Sequence, residues 1–193
     1  VRPALTNQSI RQAVPDYLAG GAKKKDIVNK YGEIRNWDVS NVTNMNGLFY
    51  FDASSFNQPL NKWNVSNVTN MAWMFRTAYS FNQPLNKWNV SNVTSMNGMF
   101  SHTRFNQPLN NWNVSKVEDM GGMFASARFF NQPLNNWNVS NVTDMNAMFY
   151  YATSFNQPLN NWNMSHDAKW SCEGTSIILR WHRRTLPHWG KLP

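Results

Sequence analysis

The sequence lacks the features of a disulfide-bonded, membrane-spanning or exported protein. Its 193 residues include one cysteine, Cys172, so no internal disulfide can form. There is no run of roughly 18 apolar residues, and no membrane span is predicted. The first ten residues, VRPALTNQSI, lack the apolar core of a secretory signal. We therefore expect a protein inside the cell or within an assembly, including a virus particle, rather than at the cell surface.

Charged side chains make up only 15% of the chain, and the basic excess lies at its two ends. Lys and Arg outnumber Asp and Glu by seven to three in residues 1–36 and by five to two in residues 166–193, but only by six to five between them. A nucleic-acid-binding protein usually gathers Lys and Arg along its working face. The nearly neutral middle of the chain therefore argues against a nucleic-acid partner.

Catalytic and metal-binding patterns are also missing from the sequence. The carboxylates of residues 37–165 form no repeated pair that could act as a general acid and base. No glycine-rich phosphate loop occurs. Cys172, His182 and His188 are the one conceivable metal cluster, and their spacing matches no zinc pattern. The sequence predicts no enzyme, no cofactor and no bound metal.

What the sequence does contain is an internal repeat. The phrase F-N-Q-P-L-N begins at Phe56, Phe81, Phe105, Phe130 and Phe155. Regularly spaced tryptophans, 24 to 26 residues apart, lie at Trp37, Trp63, Trp88, Trp112, Trp137 and Trp162. The length varies only between the Phe of M-F and the Phe of F-N-Q-P, which predicts a surface loop at that place in each repeat.

Within one repeat the apolar spacing changes from that of a strand to that of a helix. Leu134, Trp137 and Val139 follow the pattern L-x-x-L-x-L and predict a short strand. The following apolar residues, from Val142 to Ala152, recur at steps of three and four, which predicts a short helix or 3₁₀ turn. Stacked copies would bury a continuous core, with identical residues about 4.8 Å apart along the stack.

The wording L-x-x-W-x-V, followed by S-N-V-T-x-M-x-x-M-F, resembles the BspA-like leucine-rich-repeat family, which includes a mycoplasma-type surface-protein repeat of unknown function. The resemblance covers residues 37–165. It implies an α/β repeat solenoid of leucine-rich-repeat type, with one short parallel strand and one short helix or 3₁₀ turn per coil. It also implies a non-enzymatic protein and, more weakly, adhesion. We expect a helical N-terminal cap in residues 1–36, about five coils in 37–165, and a C-terminal cap or docking tail in 166–193.

Asparagine and lysine side chains occupy the outward positions of the predicted strand. They form a candidate binding face of Asn61, Lys62, Asn64, Asn86, Lys87, Asn89, Asn110, Asn111, Asn113, Asn135, Asn136 and Asn138. Their amides could bind a regular polar partner, since each offers two donors and an acceptor. Alternatively, stacked asparagines bond to one another and to the backbone and keep the register of the coils.

The last 28 residues abandon the repeat and combine tryptophan with arginine. These residue types anchor many interfaces. The candidate docking tail consists of Trp170, Arg180, Trp181, Arg183, Arg184 and Trp189.

The sequence thus predicts a non-enzymatic protein-interaction or structural component of a larger assembly. It would bind a partner protein through the Asn/Lys face, through loops such as residues 51–55, and through the tail. The alternative is a cell-surface adhesin that binds host protein or glycan.

Overall fold

Two helices precede the repeats. Helix α1 spans Asn7–Ala19 and helix α2 spans Gly21–Tyr31. A 3₁₀ turn follows at Ile34–Asn36. These elements belong to a computed structural model of the chain, which describes residues 2–50, 53–165 and 167–170.

Helix α1 begins at a capping box and packs against the first repeat. Ser9 N–H donates to Thr6 Oγ1 at 3.2 Å, and Thr6 N–H donates to Ser9 Oγ at 2.8 Å. The buried face of α1 includes Tyr17, whose ring meets the edge of Trp37 at 5.6 Å. Burial, together with the 2.8 Å hydrogen bond that the hydroxyl donates to Glu33, raises the pKa of Tyr17 to about 12. The helices therefore cover the first tryptophan of the stack.

The prediction of an α/β solenoid of leucine-rich-repeat type is wrong. Beyond the 3₁₀ turn, the described residues contain neither a strand nor a helix, and the backbone of each coil is a succession of turns. In the second coil, N–H groups bond to the carbonyl three residues earlier at Leu60–Trp63, Val65–Val68, Met71–Met74, Phe75–Ala78 and Ala78–Phe81. Each pair is the first and last residue of one turn.

This turn geometry explains why the sequence pattern was misleading. The two ends of a turn are three residues apart, and here both ends carry apolar side chains that point inward. The same spacing marks one face of a helix. Each coil also has a residue in the left-handed region, which interrupts helix and strand alike. Residues with φ between +55° and +61° occupy the equivalent positions Gly47, Trp73, Gly98, Gly122 and Ala147.

Successive coils are joined by backbone hydrogen bonds from alternate residues. The N–H groups of Met71, Trp73 and Phe75 donate to carbonyls of the next coil at 2.7 to 3.0 Å. The intervening N–H groups of Met74 and Arg76 close turns within their own coil. Only isolated parallel bridges form between coils, along Asn44, Asn70, Ser95, Asp119, Asp144 and Lys169. The coils are thus stacked in register without forming a sheet, and the stacking continues to Lys169.

Identical side chains stack through the core. One column of phenylalanine rings runs through Phe49, Phe75, Phe100, Phe124 and Phe149, with centroids 5.3 to 5.8 Å apart. A second column runs through Phe56, Phe81, Phe105, Phe130 and Phe155, with centroids 5.8 to 6.4 Å apart. Neighbouring rings in both columns are nearly parallel, with interplanar angles of 5 to 15°. This is the offset stacking that aromatic pairs prefer.

The tryptophan of each coil is tied to the coil before it. Trp88 Nε1 donates to Leu60 O at 2.9 Å, Trp112 Nε1 to Leu85 O at 3.1 Å, and Trp137 Nε1 to Leu109 O at 2.9 Å. These indoles are buried, so an unpaired N–H would be costly. The bond therefore fixes both the orientation of the ring and the register of neighbouring coils.

Replacing Trp112 by alanine should destabilise the protein by about 3 to 5 kcal/mol, because it opens a large cavity between coils. Asn111→Ala is the matched control, since Asn111 is exposed and its substitution should cost less than about 1 kcal/mol. Urea unfolding of both variants measures the difference. Equal losses of stability would contradict the assignment of inward and outward positions.

Gly98 and Gly122 provide a second comparison, because both have left-handed φ but only Gly98 lies under a ring. A Cβ at Gly98 would lie 2.6 Å from Trp73 Cδ1. A Cβ at Gly122 would have Ala125 Cβ as its nearest neighbour, at 3.9 Å. Gly122→Ala should cost about 1 to 2 kcal/mol, because an L-residue is strained at left-handed φ, and Gly98→Ala should cost clearly more.

In a Trp73→Ala background, the cost of Gly98→Ala should fall to that of Gly122→Ala. Thermal and urea unfolding of the double-mutant cycle measures this coupling. A cost at Gly98 that is unchanged without Trp73 would disprove the contact.

Candidate functional site

The twelve residues of the predicted Asn/Lys face lie in the turns that run from each Leu to the following Val. All are exposed except Asn61, Asn110 and Asn135, which are half-buried. Because the coils stack in register, equivalent residues form rows along the surface. We call this set the Asn/Lys surface, since the strand on which it was predicted is absent.

The first row of the surface forms hydrogen bonds between coils. Asn61 Oδ1 accepts from Lys87 N–H at 3.0 Å, and Asn61 Nδ2 donates to Asn86 Oδ1 at 3.1 Å. Asn110 Oδ1 accepts from Asn136 N–H at 3.1 Å. These side chains supply acceptors to N–H groups that the turns leave without a partner in their own coil.

A second row closes local turns within each coil. The side-chain oxygen of Asn64 accepts from the N–H and the hydroxyl of Ser66 at 3.2 and 2.7 Å. The same contact with the serine N–H two residues later is made by Asn89, Asn113 and Asn138 at 3.1 to 3.2 Å. This is the Asx turn, in which an asparagine side chain replaces a backbone carbonyl.

A third asparagine row, within F-N-Q-P, was missed in the sequence analysis. Asn106 Oδ1 accepts from Asn131 N–H at 2.9 Å and from Gln132 Nε2 at 3.1 Å. Asn82 makes the equivalent contacts with Asn106 and Gln107. The repeated N-Q before proline could have predicted this row. Proline has no N–H to donate, so hydrogen bonds to the backbone around it must come from neighbouring side chains.

Two lysines on the Asn/Lys surface carry charge that the stack does not use. Lys62 and Lys87 are exposed at equivalent positions of neighbouring coils. Among the described residues the one ion pair joins Lys23 and Asp16, at 3.9 Å. Further along the same surface, asparagines including Asn135, Asn138 and Asn161 line a shallow depression of about 460 Å³. The surface is thus basic at one end and neutral at the other.

The predicted docking tail is described only at its first residue. Trp170 is half-buried and packs against the core. The other tail residues, Arg180, Trp181, Arg183, Arg184 and Trp189, lie outside the described residues, as do Phe51, Asp52, Cys172, His182 and His188. Within the described part of the chain, no group of three His, Cys, Asp or Glu side chains is placed to hold a metal ion. Neither described helix is long and apolar enough to cross a membrane.

A second exposed surface, also absent from the sequence prediction, lies on the turns of variable length and those just before them. It combines arginines with three of the large rings that are exposed among the described residues, Trp73, Tyr79 and Phe129. We call it the aromatic–arginine ridge, and it consists of Tyr50, Trp73, Arg76, Tyr79, Arg104 and Phe129. The variable length of these turns predicted a surface loop. The sequence did not indicate which side chains meet there, because contacts between residues about 25 positions apart depend on how the coils stack.

The stacked coils make this protein a repeat protein. Its sequence matches the family described as "Mycoplasma protein of unknown function, DUF285" over residues 22–125 and 91–173. The chain belongs to this family. No curated protein and no solved structure matches it.

The structural use of the third asparagine row can be tested by Asn106→Ala. The change removes the acceptor of Asn131 N–H in a half-buried position and should cost roughly 1 to 3 kcal/mol. Lys62→Ala, on the Asn/Lys surface, should stay within about 0.5 kcal/mol of the parent. Chemical denaturation provides the measurement, and an Asn106 variant as stable as the Lys62 variant would rule out this role.

Proposed function

We propose that the protein is a non-enzymatic component of a larger assembly and that it docks a partner protein on the Asn/Lys surface. The observation that carries this proposal is the exposure of Lys62 and Lys87, without an ion-pair partner among the described residues, on a row of side chains held by hydrogen bonds between coils. A surface that is rigid before binding loses little conformational entropy on association.

The hydrogen bonds of the asparagines support docking by shape and charge rather than by a free amide lattice. Asn61 and Asn64 already use their side-chain oxygens within the stack. The exposed ammonium groups, by contrast, offer three donors each and form no ion pair among the described residues. An acidic side chain on the partner would therefore be bound mainly by Lys62 and Lys87.

A cell-surface adhesin that binds host protein or glycan is the second candidate. It rests on the resemblance of the repeats to BspA-like surface proteins and on the depression beside Asn135 and Asn161. Shallow polar depressions with several amides suit the hydroxyl groups of a glycan, because amides donate and accept hydrogen bonds at once.

Lysine-reactive cross-linking of the protein in its native source, read by mass spectrometry, tests the first candidate. Lys62 and Lys87 should both link to the same partner protein. A Lys62→Glu/Lys87→Glu variant should lose that partner during co-purification, because the charge on the surface is reversed. Lys25→Glu, on an exposed position of α2, is the matched control and should retain it.

The pattern of links separates the candidates. Partner links from Lys169 alone would contradict docking on the Asn/Lys surface. Material found at the cell exterior, with links only inside the chain and with binding to a glycan array, would favour the adhesin.

A further inference from the structure

We propose that the aromatic–arginine ridge is a second binding surface and that its ligand is an acidic segment of another protein. The ridge is built by different turns from those that form the Asn/Lys surface, so the two proposals are independent. Three observations carry this inference: the guanidinium groups fixed against rings, the local excess of positive charge, and the exposed rings.

Arg104 is held between two rings that belong to neighbouring coils. Its Cζ lies 4.4 Å from the centroid of Tyr79 and 5.4 Å from that of Phe129. These cation–π contacts orient the guanidinium group. Its N–H donors form no ion pair among the described residues and stay available. A carboxylate can bind two of these donors at once.

Arg76 repeats the arrangement at the other end of the ridge. Its Cζ lies 5.3 Å from the ring of Tyr50 and 5.6 Å from that of Trp73. Trp73 is itself fixed, because its Nε1 donates to Asn97 Oδ1 at 2.9 Å. The Arg76 guanidinium group forms no ion pair among the described residues.

The ridge is positively charged and has no counter-ion among the described residues. Arg76, Arg104 and Arg128 form no ion pair, since the one pair among the described residues lies on the helices. Partial desolvation lowers the pKa of His102, and the positive charges of Arg76 and Arg128 lower it further. The carboxylate of Asp119, on a neighbouring turn, is engaged by Asn97 and by the N–H of Gly121. The charge that would complement the ridge is therefore negative and must come from outside the described chain.

The exposed rings give the ridge an apolar component as well. The large hydrophobic side chains that remain exposed include Trp73 at 41%, Tyr79 at 48% and Phe129 at 51%. Together with arginine, tryptophan and tyrosine are the residues that most often dominate the energy of protein interfaces. An acidic segment that also carries apolar side chains would satisfy both parts of the surface.

Protein is favoured over single-stranded nucleic acid because of how the rings are used. Nucleic-acid bases bind such surfaces by stacking on open aromatic faces. Here Arg104 covers a face of Tyr79 and of Phe129, and Trp73 lies against Gly98 in the next coil. These contacts occupy part of the aromatic surface on which a base would stack, whereas the guanidinium donors suit carboxylates.

The test is a fluorescence-anisotropy titration of the full chain with three probes. They are a short labelled peptide of alternating glutamate and leucine, the same peptide with glutamine for each glutamate, and a single-stranded oligouridylate of equal length. We expect binding of the glutamate peptide at least about tenfold tighter than that of the other two. An oligouridylate that binds as tightly as the glutamate peptide, or tighter, would overturn the proposal in favour of nucleic acid. Equal binding of the two peptides would show that the arginines are not recognising carboxylates.

Arg104→Gln and Arg76→Gln locate the binding on the ridge. Each should weaken binding of the glutamate peptide about tenfold. Lys62→Gln removes the same charge from the Asn/Lys surface and should leave the affinity unchanged. Circular dichroism would reveal whether Arg76→Gln disturbs the fold. In that case Arg104→Gln alone tests the proposal, because Arg104 is exposed. If Lys62→Gln weakened binding of the glutamate peptide equally, binding would depend only on the net charge of the protein, and the proposal would be overturned.

Discussion

The stack depends on one repeated hydrogen bond, from the tryptophan indole of each coil to the leucine carbonyl of the coil before it. The carbonyl of Leu85 accepts this bond from Trp112 Nε1 and also closes the turn in its own coil by accepting from Trp88 N–H. One oxygen thus uses both of its lone pairs, one within the coil and one between coils. Because the buried indole N–H needs this partner, a coil cannot slip along its neighbour without leaving a polar group unpaired. The columns of phenylalanine rings then follow from the same register.

The absence of sheets from the repeats gives the asparagines their structural task. In a sheet, backbone groups on both sides of a strand pair with its neighbours. Here alternate N–H groups close turns, and carbonyls that would complete a ladder, such as Met71 O, are used within the coil. Other N–H groups, such as that of Asn131, find their acceptor in an asparagine side chain of the preceding coil. Asparagine side chains therefore add to the backbone hydrogen bonds that join the coils, and this role accounts for the crowding of asparagine in every repeat.

Much of the architecture could be predicted from the sequence, but the local backbone could not. The repeat length and the inward position of residues such as Trp112 and Phe124 follow from apolar periodicity, and both side chains are buried. The turns escaped prediction because a spacing of three is common to the two ends of a turn and to a helix face. Left-handed φ at Trp73 and Ala147 has no signature in residue type, since neither is glycine. From the sequence, the asparagines could either bind a polar partner or keep neighbouring coils in register. The structure shows that many of them form hydrogen bonds that keep the register.

Comparison of equivalent positions within the chain separates what holds the stack from what is free to meet a partner. A position that must bond to the next coil keeps one residue type, as Asn82, Asn106 and Asn131 do. Positions that only face outward change from coil to coil. The third residue of L-N-x-W is lysine in the second and third coils and asparagine in the later ones, so positive charge is confined to one end of the Asn/Lys surface. The residue just before F-N-Q-P changes from Ser80 to Arg104 to Phe129 in successive copies, while the buried phenylalanines beneath the ridge stay the same. Stacking requires none of these changes, and each alters the charge or shape offered to a partner, so the variable outward positions are the ones where binding specificity can reside.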